Sequence, residues 1–147
     1  MPPFTIRTGS WNELQHDAKL IREQVFIQEQ NIPAADEWDT QDAISRHFVV
    51  FDQAQPVATA RLLQNNSIGR VAVLKAYRGQ GIGRLLMLEI IQQAKHEQRK
   101  FLKLSSQVHA VQFYAGLGFT VEGVQYLDCG IAHIDMYLTR ITDKKTA

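Results

Sequence analysis

The chain has 147 residues and a formal net charge of +1, and 45% of its residues are hydrophobic. This length is typical of one domain with its own core, so we expect a single domain over residues 1–147. Acidic and basic residues are mixed, and no apolar run approaches the ~20 residues of a membrane span, so we expect neither nucleic acid nor membrane as a partner. A single cysteine, Cys129, and no recognisable signal peptide favour a cytoplasmic protein.

The first third of the chain predicts a strand, a helix and an acidic segment. Phe4–Arg7 alternates as a strand does. After Asn12, a candidate helix cap, apolar residues recur at helical spacing to about Gln28, and Pro33 ends the helix. These apolar residues are Leu14, Ala18, Ile21 and Val25. We interpret the carboxylates of Ala34–Ser45 as a solvated surface or, alternatively, as a rim that attracts a cationic amine. They are Asp36, Glu37, Asp39 and Asp42.

The rest of the chain predicts six further strands and two further helices. Short β-branched segments between polar turns indicate the strands, and apolar residues at helical spacing indicate the helices. The predicted strands are His47–Phe51, Pro56–Leu63, Ser67–Val73, Lys100–Ser105, Phe119–Val124 and Ile134–Arg140, and the predicted helices are Arg84–Gln98 and His109–Ala115. In the longer helix we expect Leu85, Leu88, Ile91 and Ala94, or their close neighbours, to be buried. The order predicts an α/β protein with a mixed sheet and helices on its faces.

A glycine-rich turn joins the strand Ser67–Val73 to the following helix. Its sequence, Arg78-Gly-Gln-Gly-Ile-Gly83, lets the backbone take unusual dihedrals and come close to a ligand. Unpaired N–H groups at the positive end of the helix dipole suit a phosphate or pyrophosphate. The pattern is neither the dinucleotide fingerprint nor a P-loop. A purely structural helix start is the alternative interpretation.

This turn resembles the acetyl-CoA pyrophosphate loop of the GCN5-related N-acetyltransferase (GNAT) superfamily, whose motif runs Arg/Gln-x-x-Gly-x-Gly/Ala. Arg78, Gly81 and Gly83 stand at the motif positions. The resemblance implies acetyl-CoA as cosubstrate and a mostly antiparallel, twisted sheet of six to seven strands with about four helices, splayed at the cofactor cleft. It also implies a cofactor site made of Val71, Ala72, Val73, Arg78, Gly79, Gln80, Gly81, Ile82, Gly83 and Arg84.

The segment Gln107–Phe119 resembles a second superfamily motif, commonly Asn-x-x-Ala-x-x-Phe-Tyr-x-x-x-Gly-Phe. Gln107 stands where asparagine is usual and keeps an amide able to bind the pantetheine arm. The resemblance implies that the hydroxyl of Tyr114 lies near the acetyl-CoA sulfur and protonates the leaving thiolate. A phenol with a pKa near ~10 can donate that proton at neutral pH. A tyrosine that only packs its helix is the alternative.

The reaction implied by the resemblance is direct transfer of an acetyl group from the thioester to an amine. A backbone N–H near Val73 would stabilise the oxyanion of the thioester carbonyl. Lys75 stands where many members of the superfamily carry proline. The amine must be neutral to attack, so a base or a water chain must take its proton.

Glu29 and His133 are the candidate bases. Arg22–Gln30, which reads Arg-x-x-Val-Phe-x-x-Glu-Gln, and Gly130-Ile-Ala-His133 resemble the ElaA-like branch of the superfamily. An imidazole titrates near neutrality, which suits a proton relay. The alternatives are that Glu29 only bridges or caps its helix and that His133 is an ordinary strand histidine. We interpret His47 as structural.

The motifs together predict an N-acetyltransferase acting on a primary amine of a small molecule or protein. A non-catalytic acyl-CoA-binding sensor and a nucleotide-binding module are the alternatives. No His/Cys pair has zinc-ligand spacing, so we expect no metal. Cys129 lies close to His133 in sequence, which leaves cysteine-mediated transfer open beside the favoured direct transfer. Pairing through edge strands would give a homodimer.

Overall fold

The computed structural model describes residues 4–139 and 141. Within them the strands are β1 (Phe4–Gly9), β2 (Arg46–Asp52), β3 (Gln55–Leu62), β4 (Ser67–Val73), β5 (Phe101–Gln107), β6 (Thr120–Asp128) and β7 (Ile131–Thr139). The α-helices are α1 (Trp11–Arg22), α2 (Ala34–Glu37), α3 (Ile82–His96) and α4 (Val111–Ala115). A π-helix, Glu23–Glu29, continues α1. Residue 140, the predicted end of the last strand, lies outside the described residues.

The strands form a mixed sheet in the order β1-β2-β3-β4-β5-β7-β6. The described pairings of β1 with β2, β2 with β3, β5 with β7 and β6 with β7 are antiparallel. Strand β4 pairs with β5 in parallel at Ser67–Lys103 and Ile68–Leu104. This open, mixed sheet with four helices confirms the predicted α/β class.

The chain divides into two compact units. Met1–Gln64 and Gly69–Ile90 make up the first unit, and Asn65–Ile68 and Ile91–Ala147 make up the second. Strand β4 therefore contributes its first two residues to the second unit and the remainder to the first. The single domain expected from the length stays a prediction.

In the first unit, helix α1 begins two residues earlier than predicted because Ser10, not Asn12, is its cap. The Ser10 hydroxyl accepts from the Glu13 backbone N–H at 3.3 Å, and the Glu13 carboxylate accepts from the Ser10 N–H at 2.8 Å. This reciprocal pair is a capping box, which satisfies two helix-end donors at once. The predicted apolar face of Leu14, Ala18, Ile21 and Val25 is buried as expected.

Helix α3 forms as predicted, but the face that it buries differs from the predicted one. Leu85 and Leu88, expected in the core, are exposed. The buried face consists of Ile82, Leu86, Met87, Ile90 and Ala94. The helix begins at Ile82, so the apolar stripe runs from that residue at helical spacing and not from Leu85.

In the second unit, strand β6 continues to Asp128, beyond the predicted end at Val124. Gly123 has φ +87° and lies in an irregularity of the β6–β7 register between Glu122 and Tyr126. A glycine in the left-handed region favours such a bulge, which interrupts the ladder without ending the strand. The sequence pattern around Gly123 therefore indicated a strand end where the chain has a bulge.

The acidic segment is only in part the solvated surface that we expected: Asp36 and Asp39 are exposed, but Glu37 and Asp42 are not. Glu37 and Asp42 are only 2% and 3% exposed and form ion pairs with Arg22, which is also buried. Arg61 adds pairs with Asp39 and Asp42, and Arg70 adds pairs with Glu37 and Asp39. Buried charges of this kind persist only when they are paired, and the first unit pairs its buried Arg22, Arg61, Glu37 and Asp42, with the half-buried Arg70 and the exposed Asp39 completing the group. We call these six side chains the buried ion cluster.

His47 confirms its structural interpretation. Its ring is 1% exposed, and its Nε2 lies 2.8 Å from the backbone carbonyl of Asp42. Burial lowers the pKa of His47, because the charged form loses its hydration. His47, in its neutral form, therefore stabilises the backbone beside the buried ion cluster by this hydrogen bond.

Candidate functional site

The glycine-rich turn in the first unit fits a phosphate group. Gly79 and Gly81 have φ +80° and +82°, and a Cβ built on either one meets no atom within 4 Å. The space beside the turn is therefore open, and glycine is required there by the backbone conformation. Helix α3 begins directly after the turn, so its first N–H groups have no partner within the helix and can donate to an anion.

The other predicted cofactor residues of the first unit differ in exposure. Ala72 and Ile82 are buried, so these two can offer only backbone groups to a ligand. Val71, Val73 and Gly83 are half-buried, while Gln80 and Arg84 are exposed. This pattern agrees with a site formed mainly by backbone N–H and C=O groups along β4 and the turn.

Two predicted site residues far apart in sequence meet in the first unit. Arg78 Nη1 and Nη2 each donate to one oxygen of the Glu29 carboxylate, both at 2.7 Å. Arg78 Nε donates to the Val73 carbonyl at 2.9 Å, at the end of β4. The guanidinium hydrogen bond holds the pKa of Glu29 below its usual range, which makes this carboxylate a weaker base.

A pocket of about 310 Å³ lies beside this ion pair within the first unit. Its walls come from the π-helix and from the segment just after β4. The lining residues are Gln24, Val25, Gln28, Glu29, Leu74 and Lys75. Two amides and two opposite charges around an apolar floor form a cavity of the size that a small molecule needs.

Tyr114 lies on α4 in the second unit and is 8% exposed. Its ring packs edge-to-face against Phe113 and Phe119, with centroids 5.0 and 6.1 Å away. Its hydroxyl has no hydrogen-bond partner among the described residues, and burial raises its pKa to about 12. A buried tyrosine hydroxyl normally finds a partner, so this one remains available to a ligand.

Gln107 and His133 lie opposite each other on β5 and β7. The Gln107 Oε1 is 2.8 Å from the His109 ring. The His133 Nδ1 is 2.7 Å from the Ile131 carbonyl, so Nδ1 donates to that oxygen, and Nε2 is the nitrogen that carries the lone pair whenever the ring is neutral. That tautomer can accept a proton, which fits the predicted role of His133.

A polar group that sequence reasoning missed lies on the same sheet face of the second unit. Tyr126 Oη donates to Asp135 Oδ1 at 2.6 Å and hydrogen-bonds Ser105 Oγ, and its ring stacks on that of His133. Ser105 and Asp135 are register partners across β5 and β7. Tyr126 lies beyond the predicted end of its strand, and the register between distant strands was needed to bring the group together.

The remaining predictions concern cysteine, metals and membranes. Cys129 is exposed in the turn between β6 and β7, with φ +51°. Among residues 4–139 and 141, no group of three or more His, Cys, Asp or Glu side chains could hold a metal ion. Within the same residues, no helix has both the length and the apolar character needed to cross a membrane.

Comparison with known proteins identifies the family. The family model described as an acetyltransferase (GNAT) domain matches residues 15–140. The Bacillus subtilis protein described as uncharacterized N-acetyltransferase YjcF is 36% identical over 124 residues, covering 82% of this chain and 89% of that protein. Protein ElaA of Escherichia coli is 31% identical over 143 residues, covering 86% of this chain and 94% of its own.

Solved structures agree with these relatives. The crystal structure of E. coli ElaA matches with a TM-score of 0.84 at 30% identity, covering 92% of this chain and 99% of that one. An acyl-CoA N-acyltransferase from Pseudomonas aeruginosa matches with a TM-score of 0.83 at 28% identity, with the same coverage. The chain therefore belongs to the ElaA-like branch of the GNAT superfamily, which are acyltransferases that use an acyl-CoA cosubstrate.

Proposed function

We propose that this protein is an N-acetyltransferase that moves the acetyl group of acetyl-CoA directly to a primary amine of a small molecule or protein, with the whole chain acting as one domain. The observation that carries the proposal is the glycine-rich turn at the start of α3, which opens on free space with unpaired N–H groups. In a GNAT chain, this is the feature that suits the pyrophosphate of the cosubstrate.

The remaining contacts to the cosubstrate follow from the chemistry of each group. The backbone of Val71–Val73 can pair with the amide groups of pantetheine as a neighbouring strand would. The amide of Gln107 can add a side-chain hydrogen bond to the same arm. An N–H near Val73 can donate to the thioester oxygen as negative charge develops on it.

Acyl transfer requires two proton movements, and candidates for both lie in the second unit. As the amine nitrogen bonds to the carbonyl carbon, its proton leaves for a base, for which His133 Nε2 has the free lone pair. As the carbon–sulfur bond breaks, the thiolate takes a proton, which the Tyr114 hydroxyl can supply. Burial raises the pKa of a phenol, as it does for Tyr114, and it also raises the pKa of a thiol. The pKa of the proton donor, Tyr114, and that of the proton acceptor, the CoA thiolate, therefore rise together.

The test is an assay with a panel of acyl-CoA thioesters and a panel of amines, read by release of free CoA thiol. We expect binding of acetyl-CoA by calorimetry and thiol release that depends on the amine. Release with longer acyl chains but not with acetyl would assign a different acyl donor. Binding without turnover of any amine would indicate the acyl-CoA sensor, and ATP displacing CoA would indicate a nucleotide module.

Replacing Arg78→Glu tests the turn itself. It breaks the pair with Glu29 and places a negative charge beside the proposed pyrophosphate site, so we expect the Kd for CoA to rise about tenfold or more. Lys95→Glu is the control, because it makes the same charge change on the exposed far end of α3. Equal CoA affinity in wild type and Arg78→Glu would remove the turn from the cofactor site.

A further inference from the structure

The segment that carries Glu29 has an unusual backbone. Glu23–Glu29 is a π-helix of seven residues, and the Gln30 N–H continues its pattern by donating to the Val25 carbonyl five residues back at 3.0 Å. π-helical turns are rare, usually single, and frequent at functional sites. Such a segment needs fixed ends, because its own hydrogen bonding is less favourable than that of an α-helix.

Both ends of this π-helix are held by arginine–carboxylate pairs. At its start, Arg22 is 1% exposed and donates to Glu37 and Asp42 at 2.8 Å each. At its end, both oxygens of Glu29 are taken by Arg78 at 2.7 Å. The first pair anchors the helix in the core, and the second ties it to the glycine-rich turn.

The tied segment is also one wall of the pocket. Gln24, Val25, Gln28 and Glu29 line it from the π-helix, and Leu74 and Lys75 line it from the segment leading to the turn. The third bond of Arg78, from Nε to the Val73 carbonyl, holds the start of that second segment. One guanidinium thus joins the pocket wall, the end of β4 and the turn.

We infer that Glu29 is a positioning residue and not the catalytic base: through Arg78 it fixes the pocket wall to the turn, so that CoA in the turn and an amine in the pocket bind cooperatively. This inference rests on the proposed function. A general base must present a strongly basic lone pair to its substrate, and the two charge-assisted bonds from the guanidinium stabilise the ionised Glu29 carboxylate and so weaken it as a base. Because coupling between two sites is reciprocal, each ligand should tighten binding of the other by the same factor.

Glu29→Gln tests this role, since it keeps the shape of the side chain but removes its charge and one acceptor. We expect the Kd for CoA and the KM for the amine each to rise about fivefold to tenfold. We expect kcat at saturation to fall less than threefold, and the acidic limb of its pH profile to stay in place. Glu23→Gln, at the other end of the π-helix, is the matched control and should behave as wild type.

Cooperativity gives a readout that a purely structural role would not change. In wild type, a saturating amine should lower the Kd for CoA, and in Glu29→Gln this effect should disappear. A fall in kcat of about 10²-fold or more with loss of the acidic limb would make Glu29 the base and overturn the inference. Unchanged CoA affinity, or cooperativity that survives the substitution, would also overturn it.

The double variant Glu29→Arg with Arg78→Glu swaps the two charges. It distinguishes an effect of Arg78 through its pair with Glu29 from an effect through direct contact with the phosphate. If the two residues act through each other, the swap should recover much of the CoA affinity that Arg78→Glu alone loses. A swapped variant that binds CoA as weakly as Arg78→Glu would overturn the inference. The proposed function is judged separately, because it fails if the wild-type protein releases no CoA thiol from acetyl-CoA with any amine, whatever the two variants do.

Discussion

Tyr114→Phe should lower kcat by about 10²-fold or more, while the Kd for CoA stays within about twofold of wild type. The substitution removes one hydroxyl and keeps the ring that packs against Phe113 and Phe119. Because that hydroxyl has no partner among the described residues, its loss breaks no hydrogen bond between them. The effect should therefore fall on the chemical step, which steady-state kinetics with calorimetric CoA binding can separate from cofactor affinity.

The raised pKa of Tyr114 also predicts how kcat should depend on pH. Burial raises the pKa of the phenol to about 12, so the hydroxyl stays protonated through the neutral and mildly alkaline range. Any alkaline decline in wild-type kcat below about pH 10 must then come from another group. The kcat profile of Tyr114→Phe should be lower but of the same shape over that range.

Tyr137→Phe is the matched control, because Tyr137 lies on β7 of the same unit and its ring contacts Phe101. Its turnover should equal that of wild type. If Tyr114→Phe also keeps wild-type turnover, the hydroxyl has no part in protonating the thiolate, and water becomes the acid. If CoA affinity falls with kcat, the hydroxyl acts in binding instead.

The features predictable from sequence are those set by local chemistry. Strand β4, the turn and the start of α3 follow from a β-branched run, three glycines and a helical stripe, each of which acts over a few residues. The same holds for the buried face of α1. The motif matches also indicated the family, because they place particular residue types at spacings that local structure alone does not require.

The features that sequence reasoning missed depend on distant pairs. The burial of Glu37 and Asp42 was missed, since nothing local to the acidic segment shows that Arg61 and Arg70 approach it from β3 and β4. The pair of Glu29 with Arg78 spans 49 positions and was hidden for the same reason. A candidate base and a candidate phosphate ligand were therefore named separately, although the fold joins them.

The second large effect concerns Asp42, a buried carboxylate of the buried ion cluster that pairs with two arginines. Its Oδ1 accepts from Arg22 and from Arg61, each at 2.8 Å, and its backbone carbonyl contacts His47. Asp42→Asn leaves both guanidinium groups buried with one charge too few, and one nitrogen, Arg61 Nε, already lacks a partner among the described residues. Breaking a buried pair in this way costs about 3–5 kcal/mol.

We therefore expect Asp42→Asn to lower the free energy of unfolding by about 3–5 kcal/mol in urea titrations, a large part of the stability of a typical domain. Asp17→Asn on the partly exposed side of α1 is the control and should change it by less than about 0.5 kcal/mol. A stable Asp42→Asn variant would mean that solvent or a shift of the arginines compensates the lost charge.

Lowering the pH should change the free energy of unfolding in opposite directions through two carboxylates of the buried ion cluster, Asp39 and Glu37. The hydrogen bond from Arg61 lowers the pKa of Asp39 to about 2, so the stability from Asp39 is complete above its ordinary pKa of 3.8 and is lost as pH falls toward 2. Burial raises the pKa of Glu37 above its ordinary value, so proton uptake by Glu37 favours the folded state as pH falls. In Asp39→Asn the decline in stability between pH 4 and 2 should therefore become shallower than in wild type. An equally steep decline would assign the acid sensitivity to carboxylates outside the cluster.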